Sequence, residues 1–124
     1  MSRLADERAA IVAALAAAGV RTATTGRIAT PCVLVEPGDP WSEPHRLAGT
    51  RGRVSRWRLT AIAGAADRNA AYDELATLVD LVDVALKGLG RSSELPSWAR
   101  PVETEVAGTR AAFASIATIQ HTSS

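Results

Sequence analysis

The feature that most constrains the fold is a strand-like alternation that runs almost directly into a helical pattern. Between Arg53 and Ala63, apolar and polar residues alternate, which predicts a β-strand with one core face and one polar face. From about Asp67 to Leu89, apolar residues recur at helical spacing. This combination predicts a rigid α+β wedge. The core face of the strand is expected to hold Trp57, Leu59 and Ala61, and its polar face Arg56, Arg58 and Thr60.

Two helices are predicted. The first spans Leu4 to Ala18, with Ser2 as N-cap and Gly19 as stop signal. Five of its alanines, at positions 9, 10, 13, 16 and 17, lie mostly off the apolar stripe and serve either as helix filler or as a flat packing face. The second begins at Asp67, and Val84 is an apolar residue on its charged back face, which marks a candidate contact. The expected core stripes are Leu4, Ile11, Leu15 and Ala18, and Leu75, Leu78, Val79, Val82, Leu86 and Leu89.

The remaining patterns predict strands. Pro31–Glu36 contains four consecutive apolar residues, which indicates burial on both faces. Pro101–Val106 and Arg110–His121 are expected to form a hairpin around Ala107-Gly108. Val20–Ile28 is weakly patterned and fits a short strand with a turn at Gly26. Residues 1–124 are therefore expected to form a single α+β domain, with one small antiparallel or mixed sheet packed on one face by two helices.

The stretch from Pro37 to Gly52 is predicted to be irregular, since it contains three prolines and three glycines. It is longer than an ordinary connection, and such loops are often functional or mobile. Trp41 within it has two interpretations: a lid that folds back on the core, or an anchor for a partner surface.

The charge is almost balanced, at a formal +1 from 14 basic and 13 acidic residues, which argues against broad nonspecific nucleic-acid binding. Five arginines nevertheless lie between Arg46 and Arg58. They either grip phosphates or pair with acidic residues such as Glu103 and Glu105, within or between subunits. The balanced charge and the lack of stacking aromatics between the arginines favour pairing.

No motif predicts a catalytic, cofactor or metal site. Cys32 is the only cysteine, which excludes an intramolecular disulfide, and its apolar strand favours a small core residue over a nucleophile. The only histidines are His45 and His121, and nothing in the sequence pairs either with a catalytic partner. No segment resembles a secretion signal or a membrane span, so a soluble protein made in the cytoplasm is expected.

The order of elements resembles the tail terminator (tail completion) proteins of long-tailed phages and related prophages. The likeness begins with the Ala-rich helix and the segment Pro31-Cys-Val-Leu-Val-Glu-Pro-Gly-Asp-Pro-Trp41. It continues through the Arg-rich strand, the helix around Tyr72 to Leu86 and the closing hairpin. It covers most of the chain and is a pattern of elements and turns, which neck and connector proteins partly share.

The resemblance implies a tail-terminator-like domain that forms a homo-oligomeric ring, typically of six copies, on the tail tube. Such a ring ends tube polymerisation and presents a joining surface to the head connector or stopper protein, with DNA only passing through its lumen. It implies a virion protein of the tail end or neck, made in the host cytoplasm, with no catalysis, cofactor or membrane partner. The 37–52 stretch is expected to be mobile in the free subunit and to order on assembly. Candidate interface residues are Trp41, His45, Arg46, Arg51, Arg53, Arg56, Arg58, Val84, Glu103 and Glu105.

Two alternatives stay open. One is another neck, connector or minor tail protein. The other is a small ligand-binding or enzymatic α+β domain, which a deep pocket holding His45 or Cys32 beside a carboxylate would favour.

Overall fold

The computed structural model describes residues 2–22, 30–44, 52–64, 67–89, 95–106 and 109–123, without the side chains of 104–106, 109–112 and 122–123. The described part contains helices α1 (Arg3–Ala17) and α2 (Arg68–Gly88) and strands β1 (Cys32–Pro44), β2 (Arg53–Ile62), β3 (Val102–Val106) and β4 (Thr109–Ser123). The strands form one antiparallel sheet in the order β1-β2-β4-β3. Both helices pack on the same face of this sheet, which confirms the predicted α+β class.

Both helices begin and end for the predicted local reasons. The Ser2 hydroxyl accepts a hydrogen bond from the Ala5 amide at 3.3 Å, and the chain leaves α1 through Gly19, whose φ is +83°. The Asp67 carboxylate caps α2 by accepting from the Ala70 amide at 3.0 Å. These caps satisfy backbone donors that the helices themselves cannot pair.

The main core lies between the helices and the sheet. The apolar stripes of the two helices meet the alternating side chains that β2 points toward them. The predicted inward residues of β2 are almost fully buried, which confirms its core face. Its predicted polar face is exposed only in part, since Arg58 is exposed but Thr60 is only 8% exposed. The centre of this core consists of Ile11, Leu15, Val33, Trp57, Leu59, Ala61, Leu75, Leu78 and Val82.

The predicted irregular stretch from Pro37 to Gly52 is wrong in its first half, because β1 continues to Pro44. Prolines are tolerated here since β1 is an edge strand, where a missing N–H need not break a ladder. The register also shifts, so that residues 38–41 lie opposite Arg56 alone. The expectation of a mobile segment that orders on assembly therefore does not hold for 37–44. Residues 45–51 lie outside the described residues, as do 23–29, which cover most of the weakly patterned early stretch.

The closing hairpin is confirmed. β3 pairs with β4 from Val102 opposite Ala114 to Val106 opposite Thr109, with a register shift after Thr104. Beyond Ala114, β4 continues beside β2 as far as Ser123, without β3 on its other side. One edge of this half of β4 is therefore not covered by β3, and a groove lies along it.

Candidate interaction surface and groove

Arg56 and Arg58 of β2 lie on the sheet face opposite the helices, as predicted, and they pair with β1. Arg56 contacts Glu43 at 2.6 Å, and Arg58 contacts Glu36 at 3.4 Å. Arg53 lies at the start of the strand, where its Nε donates to the Ser42 hydroxyl at 2.9 Å. Contacts with β1 therefore position these arginines. This agrees with the interpretation that they pair with acidic residues, which the balanced charge of the sequence favoured over phosphate binding.

The expected acidic partners are different from those that the structure shows. Glu103 lies on β3 opposite Phe113, on the face that carries the helices, and β4 separates it from β2. Within one chain it therefore does not pair with Arg56 or Arg58. The Glu105 side chain lies outside the described residues, and so do His45, Arg46 and Arg51. A contact between Glu103 or Glu105 and another copy stays a prediction.

Trp41 lies in the register shift of β1 instead of on a loop. Its ring meets Trp57 edge to face, with centroids 5.6 Å apart, and it remains 42% exposed. Both interpretations of Trp41 therefore stay open, because one side of the ring contacts the core and the other faces outward. Val84 is 62% exposed on the back of α2, as expected.

A buried carboxylate that we did not predict lies at the centre of a polar cluster. Glu7 of α1 is only 5% exposed. Its Oε1 accepts from the Ser55 hydroxyl at 2.5 Å and from the Trp57 indole at 3.3 Å, and its Oε2 meets Arg3 at 2.7 Å. These contacts satisfy the charge and join α1 to β2. The position of Glu7 within the apolar stripe, four residues before Ile11, was the signal that could have revealed it.

A groove of about 760 Å³ runs beside this cluster. It lies between α1, the last turn of α2, residues 95–99 and the second half of β4. Its walls are polar and apolar in nearly equal parts, and the Trp98 indole at one wall donates to Asp83 at 3.3 Å. His121 lines the groove, and its buried Nδ1 has no hydrogen-bond partner among the described residues. The apolar wall residues are Ile11, Leu86, Leu89, Leu95, Pro96, Trp98 and Ile119.

Cys32 lies away from this groove. It is fully buried with Ile62 and Ala114 on the other face of the sheet. Burial raises the pKa of its thiol above the usual 9.0, and the charge of Arg21 opposes that shift. A thiol with a raised pKa is a poor nucleophile at neutral pH, which agrees with the predicted core role.

The described residues contain no cluster of three or more histidine, cysteine or acidic side chains able to hold a metal ion. Among the described helices, none combines the length and apolar character needed to cross a membrane. No protein-family model and no curated protein sequence matches this chain.

Proposed function

We propose that this chain is a structural virion subunit that caps a phage tail tube as a homo-oligomeric ring. In this role it would end tube polymerisation and form the joining surface for a head connector or stopper protein. The proposal rests on the order of elements in the sequence and on the surface that the fold leaves available. A subunit of this kind acts through shape and contacts, without a reaction.

The observation that carries the proposal is the sheet face opposite the helices. Neither described helix covers it. Its end at Cys32, Ile62 and Ala114 is buried, and the rest combines two Arg–Glu pairs with exposed apolar side chains. Val102 is 53% exposed and Ile116 is 40% exposed there, as expected of a surface that another protein covers. A mixture of apolar area and arginine is typical of protein–protein interfaces.

The test combines the protein with a tube protein encoded beside it. Electron microscopy of the purified chain should show rings, and adding those rings to polymerising tube protein should stop elongation at one end. Tubes that lengthen equally with and without the chain would contradict the capping role. Binding to a connector but not to the tube would instead identify a head-side neck protein.

A small ligand-binding domain is the second candidate, because the groove has the volume of a ligand pocket and a lining that mixes apolar and polar groups. The groove holds His121 and lies next to the Glu7 carboxylate, whereas the expected Cys32 is on the other face. Both oxygens of the Glu7 carboxylate already have partners in Arg3, Ser55 and Trp57. A metabolite that binds the pure chain stoichiometrically would favour this candidate.

A further inference from the structure

The groove contains one unused hydrogen-bonding atom, in a lining that is about half polar and half apolar. His121 Nδ1 is buried and has no partner among the described residues. With the ring proton on Nε2, Nδ1 is an acceptor. A buried polar atom of this kind is destabilising until a partner pairs with it. The groove therefore fits a group that has an apolar body and carries an N–H or O–H donor.

The chain presents such a group at the other edge of its sheet. Trp41 is 42% exposed, and its indole N–H has no acceptor among the described residues. The extra residues 38–41 in edge strand β1 position it outside the ladder. The groove lies along β4 and reaches Trp57 of β2, the same side chain that Trp41 contacts within its own chain. Trp41 does not line the groove of its own chain, so the outward side of its ring is available to a second copy.

We propose that Trp41 of one copy inserts into the groove of the next copy and donates its indole N–H to His121 Nδ1. The contact joins two unlike surfaces, which is the heterologous geometry that a closed ring requires. It pairs the unused donor with the unused acceptor and buries the exposed side of a large aromatic ring. Buried tryptophans of this kind often dominate binding at interfaces. The inference rests on the self-association in the proposed function but not on tube capping.

The experiment uses two variants that each remove one half of the contact. Trp41→Ala removes the inserted ring, and Ser97→Arg places a bulky charge on an exposed position of the groove lining. Each variant alone should be monomeric in sedimentation velocity, with the dissociation constant raised at least about 30-fold. Mixed together, they should form dimers and nothing larger, because a groove remains on one and Trp41 on the other.

Trp41→Phe keeps the aromatic contact with Trp57 but loses the N–H, so its association should weaken only about 5-fold. Tyr72→Ala is the matched control. Tyr72 is also an exposed aromatic, in edge-to-face contact with Phe113 at 5.8 Å, and its loss should leave association unchanged.

Three results would overturn the inference. In the first, Trp41→Ala and Ser97→Arg each still form oligomers. In the second, a mixture of the two variants stays monomeric. In the third, the wild-type chain is monomeric at every concentration. The first leaves ring formation and capping intact through another surface. Rings that form through Trp41 but do not stop tube growth would overturn the proposed function alone. Circular dichroism of each variant confirms that it is folded before association is measured.

Discussion

Helix α1 and strand β2 meet at the carboxylate of Glu7, which makes this residue the main polar link in the core. Ser55 and Trp57 donate to one carboxylate oxygen, and Arg3 pairs with the other. The Arg3 side chain is 38% exposed, so its ion pair contributes less than about 1 kcal/mol. The two buried donors carry the larger energetic consequence. The Ser55 hydroxyl has only one other acceptor in reach, the His121 carbonyl oxygen at 3.4 Å, and the Trp57 indole has none among the described residues.

Glu7→Ala is expected to lower the free energy of unfolding by about 2–4 kcal/mol, because it leaves the Trp57 indole unpaired and the Ser55 hydroxyl with only a long bond to the His121 carbonyl oxygen. Glu7→Gln keeps an amide oxygen as acceptor and should lose less than half as much. Urea denaturation followed by tryptophan fluorescence measures both. An equal loss in the two variants would show that the negative charge, and not the acceptor, is what the cluster needs.

The sequence revealed little of this residue-scale chemistry. An acidic residue in a helix stripe is visible, but its partners come from a strand about fifty positions later, which no local pattern identifies. The same holds for the acidic partners of the arginines. Register decided that Glu36 and Glu43 pair with Arg58 and Arg56, and register cannot be read from residue types alone.

At the scale of elements, strand β1 departs most from what its composition predicts. Its prolines and glycine favour a loop, yet an edge position and a register shift accommodate them. Gly38 is required there by close approach. A Cβ at this position would lie 2.8 Å from the Arg56 Cβ and 2.9 Å from its carbonyl carbon.

Gly38→Ala should therefore destabilise the fold by about 1–3 kcal/mol through overpacking. Gly88→Ala is the matched control, because a Cβ on this last residue of α2 meets nothing within 4 Å. That substitution should be neutral or stabilise by up to about 1 kcal/mol. Thermal melts of both variants provide the comparison, and an unchanged melting temperature for Gly38→Ala would show that the two strands can move apart freely.

The elements with a clear period were predictable, and so was their packing. Both helices, their caps, the two faces of β2 and the closing hairpin follow from spacing and capping residues that act locally. The extension of β1 was not predictable, since it depends on which strand lies at the sheet edge. The groove was not predictable either, because it forms where four separate segments meet.

At the scale of the whole molecule, the question is what the charged pairs on the sheet face opposite the helices recognise. Arg58 and Glu36 are both about half exposed, so their mutual contact adds little to the stability of one chain. Their orientation would matter more to a neighbouring copy, which meets a positive charge at one position and a negative charge at another.

A charge swap separates these two roles. Arg58→Glu alone should weaken association and lower stability by less than about 1 kcal/mol. Arg58→Glu combined with Glu36→Arg restores the pair within the chain but reverses the pattern that a neighbour meets. If this face contacts another copy, the double variant should regain stability without regaining association in sedimentation velocity. Recovery of both would assign the pair a role within the subunit only.

The three prolines of β1 have a consequence for the behaviour of the chain at high concentration. None of them can donate a backbone hydrogen bond, and the register shift breaks the strand in two. An uninterrupted intermolecular ladder therefore cannot grow from this edge, which protects the sheet from fibril formation. Copies that meet at this edge must recognise one another by side chains, so crowding favours a defined assembly over aggregation.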